Sequence, residues 1–461
     1  MLYKVYIKTY GCQMNERDSE MAAVLLQRAG YQIVSHESAA DIIIVNTCSV
    51  RAKAEDKALG KLRLLVAEKK RRKNLMVGAV GCMVQRLKTD VLDKVRGLDF
   101  AVGTARLATV GDVIQKVLSV QRPIVDVVAG KLTCEPDTHL DDNVSAFINV
   151  LYGCNRHCSY CVVPEVRGPE WSRPAGDIIA EAKDLAAKGT KEITLLGQSV
   201  LNYGRANEVW REGSKSQQGF NEPFPRLLEA LNSIEGLARL RFTSSHPSGC
   251  TGELARAFAE LPKVCPHIHL PLQSGSDRIL KLMNRGYSTR EYLAAVERLR
   301  RAVPDLAVTT DIILGYPSET REDFDLTRAF MKEIGFANAF IFKYNPRPGT
   351  KAEKLADDVP AAEKLRWNHV LLEEQNNRCL KMNQQWVGRE CRVLVEGKSR
   401  RNPKRWAGRT DTNLIVVFEK SVACRPGDMV KIKIERAELQ TLYGAGCSRR
   451  SSADSENRHS N

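Results

Sequence analysis

Apolar strands alternate with amphipathic stretches over the first part of the chain. Three segments are predicted to be buried strands: Tyr3–Thr9, Asp41–Asn46 and Asn74–Val80. Two others have the spacing of helices: Ser19–Ala29 and Lys53–Glu68. This alternation is typical of a parallel sheet covered by helices. We therefore predict an N-terminal α/β domain over residues 1–133, followed by a polar linker at Cys134–Asn143.

A longer series of strand and helix patterns follows the linker. Six segments are predicted to be strands: Ala146–Tyr152, Glu192–Leu196, Arg239–Thr243, His267–Pro271, Ala307–Leu314 and Ala337–Tyr344. Helical patterns such as Pro174–Lys188 and Thr289–Arg301 lie between them. Six units rather than eight indicate a partial (βα)6 barrel over residues 144–380. The polar stretch Asn202–Asn221 is predicted to be a surface loop.

The period of the pattern changes after a long helical stretch at Ala361–Lys381. Three short alternating strands follow: Cys391–Glu396, Leu414–Glu419 and Met429–Glu435. They predict a small β-barrel over residues 381–444, in the size range of RNA-binding barrels. The Ser-rich residues 445–461 are expected to be a disordered tail.

The composition of the chain bears on where the protein is located and on what kind of partner it binds. With 43% hydrophobic and 27% charged residues, the chain has the make-up of a soluble globular protein. It has no apolar run long enough to span a bilayer, and its first residues lack the pattern of a signal peptide. We therefore expect a cytoplasmic protein without a membrane partner. The net charge of +15 fits a polyanionic partner and a generic basic surface about equally well.

The 13 cysteines carry the most specific chemical signal, because clustered cysteines in a cytoplasmic protein indicate metal or redox chemistry. Cys154, Cys158 and Cys161 have the spacing C-x3-C-x2-C directly after the first barrel strand. Three thiolates on one loop can bind three irons of a cubane and leave the fourth iron open to a small molecule. A zinc site with a fourth ligand from elsewhere is the main alternative, and His157 lies within the loop.

A second set of cysteines is dispersed along the sequence. Cys12, Cys48 and Cys82 each follow one of the three predicted N-terminal strands. The loops beyond the carboxyl ends of parallel strands converge on one crevice. The three thiols are therefore predicted to meet in another three-ligand site, unless they are inert buried cysteines.

Together these features resemble the methylthiotransferase family of radical S-adenosylmethionine enzymes. The resemblance extends to about Gly444 and is carried by seven motifs: YGCQMN at Tyr10–Asn15, NTCS at Asn46–Ser49, CVVP at Cys161–Pro164, LLGQ at Leu195–Gln198, SSHP at Ser244–Pro247, LQSGSD at Leu272–Asp277 and RPGT at Arg347–Thr350. It implies a three-cysteine domain, a radical S-adenosylmethionine barrel and an RNA-binding barrel of the TRAM type, in that order.

The resemblance also implies the cofactors and partners. Two [4Fe–4S] clusters are expected, one on Cys12, Cys48 and Cys82 and the other on the C-x3-C-x2-C loop, together with S-adenosylmethionine. In the superfamily the open iron chelates this cofactor, and one electron cleaves it to a 5′-deoxyadenosyl radical. The expected partners are tRNA, an electron donor such as a flavodoxin or ferredoxin, and the iron–sulfur assembly machinery.

Further contacts are predicted at the ends of the barrel strands. Gly197 and Gln198 end the second strand, where the superfamily receives the amino group of the cofactor. Gln273 and Ser274 end the fourth strand and are candidates for the ribose hydroxyls, and Ile313 on the fifth strand is a candidate for the adenine. Each of them is also compatible with an ordinary loop or strand residue.

A basic run in the C-terminal part is the candidate RNA contact. Lys398–Arg409 contains six basic residues, no acidic residue and one tryptophan, which suits phosphate contacts with one stacking ring. A solvated hairpin loop is the alternative. The candidate residues are Lys398, Arg400, Arg401, Lys404, Arg405, Trp406 and Arg409.

The finer signatures resemble the branch of the family that adds a methylthio group to carbon 2 of N6-dimethylallyladenosine at position 37 of tRNA. Gln13 and Met14 after the first cysteine differ from the residues of the other branches, which act on threonylcarbamoyl-adenosine in tRNA or on a ribosomal protein. These two activities remain alternatives. A two-cluster electron carrier and an RNA-binding protein with structural zinc are rivals from other classes.

Overall fold

A computed structural model of the chain describes residues 2–128, 138–140, 143–210, 216–419 and 424–449. The first part is a six-stranded parallel sheet in the order β2-β1-β3-β4-β5-β6. Its strands are β1 (Lys4–Thr9), β2 (Gln32–Ile33), β3 (Ile42–Thr47), β4 (Met76–Gly81), β5 (Phe100–Val102) and β6 (Ile124–Asp126). Its helices are α1 (Gln13–Arg28), α2 (Ala52–Glu68), α3 (Cys82–Leu87), α4 (Asp90–Lys94) and α5 (Val110–Val120).

The second part is an open barrel of six parallel strands, as predicted. Two three-stranded sheets, β11-β10-β7 and β12-β13-β14, are joined by a bridge between Leu240 and Val264. The strands of this part, including a small side hairpin of β8 and β9, are β7 (Ser145–Asn149), β8 (Leu151–Tyr152), β9 (Trp171–Ser172), β10 (Glu192–Leu196), β11 (Arg239–Phe242), β12 (His267–His269), β13 (Ala307–Leu314) and β14 (Asn338–Lys343). Its helices are α6 (Val163–Arg167), α7 (Ala175–Ala187), α8 (Pro223–Asn232), α9 (Gly252–Glu260), α10 (Asp277–Leu282), α11 (Thr289–Ala302), α12 (Arg321–Ile334) and α13 (Ala361–Gln384).

The predicted surface loop at Asn202–Asn221 is only partly on the surface. Tyr203, Val209 and Phe220 are buried in the barrel core, because these apolar side chains leave water by packing under the helices. Residues 211–215 lie outside the described part of the chain. The prediction of an exposed loop is therefore wrong for its apolar residues.

The third part is a closed five-stranded barrel in the order β15-β16-β17-β19-β18. Its strands are β15 (Glu390–Lys398), β16 (Arg405–Thr410), β17 (Ile415–Glu419), β18 (Met429–Ala437) and β19 (Thr441–Arg449). Two of these were not predicted. β16 occupies the second half of the basic run, and β19 extends through the first five residues of the predicted tail, so both regions are more ordered than expected. Residues 450–461 lie outside the described residues.

Buried polar contacts connect the N-terminal sheet to the open barrel. Most of the predicted linker lies outside the described residues, but Thr138 and His139 within it are buried. Arg17 on α1 donates to the carbonyl oxygen of Thr138 at 2.8 Å, and His139 Nε2 lies 2.6 Å from Glu181 on α7. Thr138 and His139 are thus packed between α1 and α7.

The C-terminal barrel also docks on the open barrel. Arg241 on β11 donates to the carbonyl oxygens of Thr410 and Asp411, which follow one another at the turn between β16 and β17. Within the described residues, no helix is long and apolar enough to cross a membrane.

Candidate functional site

The C-x3-C-x2-C loop lies beyond the carboxyl end of β7. Gly153 has a φ of +70°, and a Cβ at this position would collide with the backbone of Gly168 and Pro169, so the entry to the loop requires glycine. The amide of Cys154 donates to the carbonyl oxygen of Gly168 at 3.2 Å, and the amide of Cys161 donates to that of Cys158 at 3.1 Å. The backbone therefore fixes two of the three cysteines before any metal is bound.

The surroundings of Cys154 and Cys161 hold their thiols in the protonated form. Burial, together with the neighbouring thiols of Cys158 and Cys154, raises the pKa of Cys161 to about 12. Burial likewise raises the pKa of Cys154. The guanidinium of Arg285 lies 3.3 Å from Cys158 Sγ and is itself buried. Such thiols ionise when iron replaces their protons, so binding and deprotonation are coupled.

The three dispersed cysteines converge, as the sheet topology predicted. Cys12 precedes α1, Cys48 follows β3, and Cys82 is the first residue of α3. Cys12 is exposed, whereas Cys48 and Cys82 are buried. Burial raises the pKa of Cys82 to about 12, and the nearby thiols of Cys48 and Cys12 act in the same direction. A Cβ on Gly11 would lie 2.9 Å from Cys48 Cβ, and one on Gly81 would lie 2.6 Å from the carbonyl oxygen of Thr47, so the three cysteine loops lie against one another.

Asn15 fastens the first two of these cysteine loops together. Its side-chain nitrogen donates to the carbonyl oxygen of Thr47 at 2.9 Å and to the side-chain oxygen of Asn46 at 3.1 Å. Its side-chain oxygen lies 3.5 Å from Cys12 Sγ. The last residue of the YGCQMN motif is therefore bonded to the NTC motif, a role that sequence spacing alone did not reveal.

The two cysteine sets adjoin each other through α6. This short helix begins two residues after Cys161, and Val162 and Val166 pack against Cys82 of the N-terminal set. The helix is also fixed to the N-terminal part by Thr104, whose hydroxyl donates to the carbonyl oxygen of Val166 at 2.6 Å. One face of the N-terminal cysteine site is consequently built by the open barrel.

Two of the predicted cofactor contacts have unused hydrogen-bonding groups. The side-chain oxygens of Gln198 and Gln273 are buried and have no hydrogen-bond partner among the described residues. Buried polar atoms are nearly always satisfied in native proteins, so these two oxygens suit a ligand that supplies donors. Gln273 also has a φ of +75°, a strained conformation for a side chain of its kind and one that clusters at functional sites.

The other predicted cofactor contacts are arranged differently. Ser274 is fully buried, and its hydroxyl lies 3.2 Å from that of Thr327, so it supports the loop from behind rather than offering a free group. Ile313 is partly exposed on β13, in a strand whose side chains alternate between partly exposed and buried. Gly197 lies close to Leu151, which leaves little space for a side chain.

The two cysteine sets have the chemistry needed to bind iron–sulfur clusters, and the two glutamines have the chemistry needed to bind S-adenosylmethionine. Within the described residues, no three or more His, Cys, Asp or Glu side chains form a group that could hold one metal ion. A cubane places a different demand on its ligands, because each thiolate binds a different iron. Each set supplies three thiols, and the buried oxygens of Gln198 and Gln273 lie at the ends of barrel strands where a cofactor with amino and hydroxyl donors would bind.

The basic run separates into an exposed loop and a buried strand. Arg400, Arg401 and Lys404 are exposed in the hairpin between β15 and β16, and Lys398 is exposed at the end of β15. Trp406 is 7% exposed and packs in the core of the small barrel, so the expectation of a surface stacking ring is wrong. Arg405 and Arg409 lie on β16, and Arg409 contacts Glu396 and Asn413.

Comparison with known proteins agrees with this arrangement. Residues 148–331 match the radical SAM superfamily, residues 384–445 match the TRAM domain, and residues 4–103 match a family described as uncharacterized protein family UPF0004. The tRNA-2-methylthio-N(6)-dimethylallyladenosine synthase of Methylacidiphilum infernorum is 43% identical over 448 residues, which cover 95% of this chain and 94% of that protein. The chain belongs to the tRNA-2-methylthio-N(6)-dimethylallyladenosine synthase family. The synthase of Akkermansia muciniphila is 41% identical over 96% of this chain and 99% of its own length.

Membership of the synthase family confirms the predicted methylthiotransferase class. Together with the radical SAM match, it also confirms the prediction of S-adenosylmethionine and [4Fe–4S] clusters as cofactors. Among solved structures, the radical S-adenosylmethionine methyltransferase TsrM from Kitasatospora setae superposes with a TM-score of 0.55, at 13% identity over 93% of this chain and 80% of that one. At this level of identity the likeness concerns the fold.

Proposed function

We propose that this chain adds a methylthio group to carbon 2 of N6-dimethylallyladenosine at position 37 of tRNA. The observation that carries the proposal is the junction at α6, where Cys82 of one three-cysteine set packs against the helix that follows Cys161 of the other. An enzyme that moves sulfur to a carbon activated by a radical needs its two centres near each other, and the packing of Cys82 against this helix supports that arrangement. Relatives that match almost the whole chain are named for this activity.

Cys12, Cys48 and Cys82 would hold one [4Fe–4S] cluster, and Cys154, Cys158 and Cys161 would hold the other. When bound, these clusters and S-adenosylmethionine would supply one-electron cleavage of the cofactor and a carrier for the transferred sulfur, which together allow substitution at an unactivated C–H bond. The protein's own contribution is to hold the thiols and to orient the cofactor through Gln198 and Gln273.

The wall of the barrel beside the cofactor residues suits an apolar base. Phe342 on β14 is paired in register with Ile313 on β13, so the two side chains lie on the same face of the sheet. Phe340, two residues earlier on that face, is 47% exposed. The guanidinium of Arg51, three residues after Cys48, lies 5.0 Å from the centre of the Phe342 ring. The face therefore runs from the cofactor side to the N-terminal cysteine site and presents aromatic surface to a dimethylallyl group.

The hairpin between β15 and β16 would contact the tRNA backbone. Arg400, Arg401 and Lys404 are exposed, and no acidic residue lies in the run around them. Phosphate contacts of this kind give affinity without sequence readout. We assign Lys398 to the same surface. Arg405 and Arg409 lie on β16, the strand that follows the hairpin, and are not assigned to the RNA contact.

The remaining partners follow from the chemistry. Cleavage of S-adenosylmethionine consumes an electron, so a small reductase partner such as a flavodoxin or ferredoxin is required, and cluster insertion calls for the iron–sulfur assembly machinery. Both are compatible with the cytoplasm, where we place the protein. We divide the chain into a three-cysteine domain at residues 1–133, a radical barrel at 144–380 and a TRAM-like barrel at 381–444.

The test is an anaerobic assay with three tRNA substrates that carry dimethylallyladenosine, threonylcarbamoyl-adenosine or unmodified adenosine at position 37. Protein reconstituted with iron and sulfide should hold about eight irons, corresponding to two cubanes. Nucleoside mass spectrometry should then detect the methylthio product mainly from the dimethylallyl substrate, with only slow conversion of the unmodified tRNA. Product from the threonylcarbamoyl substrate alone would transfer the proposal to the other tRNA branch, and about four irons would remove the two-cluster mechanism.

A further inference from the structure

Arg167 connects the open barrel to the N-terminal cysteine site. It is the last residue of α6 and is 8% exposed. Its Nη2 donates to the carboxylate of Asp18 on α1 at 2.6 Å and lies 3.5 Å from the side-chain oxygen of Asn15. Both partners belong to the segment that follows Cys12, so the barrel places a buried positive charge within the N-terminal part.

The same guanidinium lies beside the N-terminal cysteines. Asn15 uses one oxygen for both Arg167 and the Cys12 thiol. The residue before Arg167, Val166, packs against Cys82. Burial alone would lower the pKa of Arg167, yet Asp18 and the thiols of Cys82 and Cys12 hold it well above its ordinary value.

One nitrogen of this guanidinium remains unused. Nη1 of Arg167 is buried and has no hydrogen-bond partner among the described residues. A buried donor without a partner is costly, particularly on a charged group. Asp18 neutralises the overall charge but does not engage this nitrogen. The thiolates and sulfides of a bound cluster would supply acceptors next to it.

We propose that Arg167 is a positioning residue that raises the reduction potential of the N-terminal cluster. The inference rests on the proposed function, because it requires a cluster on Cys12, Cys48 and Cys82. A cluster with three thiolates gains negative charge on reduction, and a fixed cation together with a hydrogen bond to sulfur favours the more negative state. Since Arg167 comes from the barrel, the N-terminal cluster has this potential only when the two parts are docked.

The rival role for Arg167 is a purely structural ion pair with Asp18. The two roles differ in the effect of changing Asp18. If the charge near the cluster matters, Arg167→Met removes a positive charge and Asp18→Asn removes a negative one, so the two variants shift the potential in opposite directions. If the pair only holds the parts together, both variants break the same contact and lower stability without opposed shifts in potential.

The experiment uses the full-length chain in which Cys154, Cys158 and Cys161 are replaced by Ala, so that only the N-terminal cluster remains. Iron analysis should give about four irons. The midpoint potential is measured by redox titration followed by electron paramagnetic resonance, in this background and with Arg167→Met, Arg167→Lys or Asp18→Asn added. We expect a negative shift for Arg167→Met, a smaller shift for Arg167→Lys, which keeps the charge, and a positive shift for Asp18→Asn.

Equal potentials in all four proteins, or shifts of the same sign for Arg167→Met and Asp18→Asn, would overturn the inference and leave the proposed function intact. Absence of iron from the background protein would overturn both. If Arg167→Met loses its cluster, the potential of Asp18→Asn alone tests the inference. This variant retains the arginine and removes a negative charge, so a potential that does not rise would overturn the inference. Circular dichroism on each variant checks that the fold is retained.

Discussion

Arg239 on β11 donates from Nε to Oδ1 of Asp411 at 2.7 Å, although the two residues belong to different barrels. The remaining nitrogens of Arg239 donate to the carbonyl oxygens of Arg409 and Arg392, so its whole guanidinium is engaged. Asp411 in turn accepts from Arg392 at 3.0 Å. The small barrel is therefore attached to the start of β11 by a partly buried charge network and not only by the chain that enters it from α13.

Replacement of Asp411 by Ala should destabilise this junction. The change leaves the buried guanidinium of Arg239 with only the more distant carboxylate of Glu192, at 3.9 Å, and loss of one partner of a buried ion pair costs up to roughly 3–5 kcal/mol. Chemical denaturation should show the loss in the transition that reports on the C-terminal barrel. Glu435→Ala is the matched control, because Glu435 is an exposed acidic residue on β18. Equal stability of the two variants would show that the network contributes little.

The division of labour between the cysteine sets is tested by Cys48→Ala. Cys48 is remote in sequence from the C-x3-C-x2-C loop, so the variant should still cleave S-adenosylmethionine to 5′-deoxyadenosine. It should form no methylthio product, because one ligand of the sulfur-carrying site is missing. Chromatography of both products gives the answer, and Cys250→Ala, a buried cysteine outside both sets, is the control. Methylthio product from Cys48→Ala would contradict the assigned role of the N-terminal set.

The basic hairpin should act through phosphate contacts. Removal of one cation that binds a phosphate reduces the slope of log K against log salt by about one. The double variant Arg400→Ala, Arg401→Ala should therefore bind tRNA with a slope smaller by up to about two and should still cleave S-adenosylmethionine. Fluorescence anisotropy across a salt series measures the slope. The control is the double variant Arg301→Ala, Lys332→Ala, which removes two exposed cations from helices of the open barrel. An equal fall in slope for this control would show that the hairpin does not contact the tRNA phosphates specifically.

Phe342 should contribute to the choice of substrate. Its truncation to Ala removes apolar surface from the barrel face beside Ile313, and burial of a ring of this size is worth about 2 kcal/mol. We expect kcat/KM for dimethylallyl tRNA to fall by about tenfold or more, with a smaller effect on the slow reaction of unmodified tRNA. Competition between the two tRNAs measures this ratio directly. An unchanged ratio would place the recognition of the dimethylallyl group elsewhere.

The contact between Glu181 and His139 makes the junction of the first two parts sensitive to acid. Burial would raise the pKa of Glu181, but its hydrogen bond to His139 and the charges of Arg173 and Arg17 lower it to about 2. A depressed carboxyl pKa stabilises the fold above the unfolded value near 4.5, and this stabilisation is lost as pH falls from there towards 2. Wild-type stability should decline over that interval by on the order of 3 kcal/mol more than that of Glu181→Gln, as measured by urea denaturation at several pH values.

The sequence was most informative where one physical pattern dominated. β13 was predicted to the residue because its side chains alternate over eight positions. The meeting of Cys12, Cys48 and Cys82 followed from the rule that parallel strands end at one edge. β2 and β5 were missed because two or three residues do not establish a period. β16 was missed because its basic residues and Gly408 looked like a loop, although alternate side chains face the barrel core.

Contacts between distant segments were beyond the reach of sequence patterns. Nothing in the residues around Arg167 indicates that its partner is Asp18, 149 positions earlier. The same holds for Asn15, whose bonds to Asn46 and Thr47 depend on how two loops meet. For Trp406 the sequence pattern was misleading. An aromatic residue among basic ones is typical of an RNA-stacking ring, but the alternation of β16 places this side chain in the barrel core.

The short helix α6 also has a consequence for synthesis of the chain. The three N-terminal cysteines leave the ribosome first, but Val162, Val166 and Arg167 emerge some 80 residues after Cys82. A nascent chain that stops before α6 has all three thiols and an open side where the helix should pack against Cys82. The N-terminal cluster pocket is therefore completed only after the C-x3-C-x2-C loop has been made, which sets the earliest point in translation at which both clusters can be enclosed.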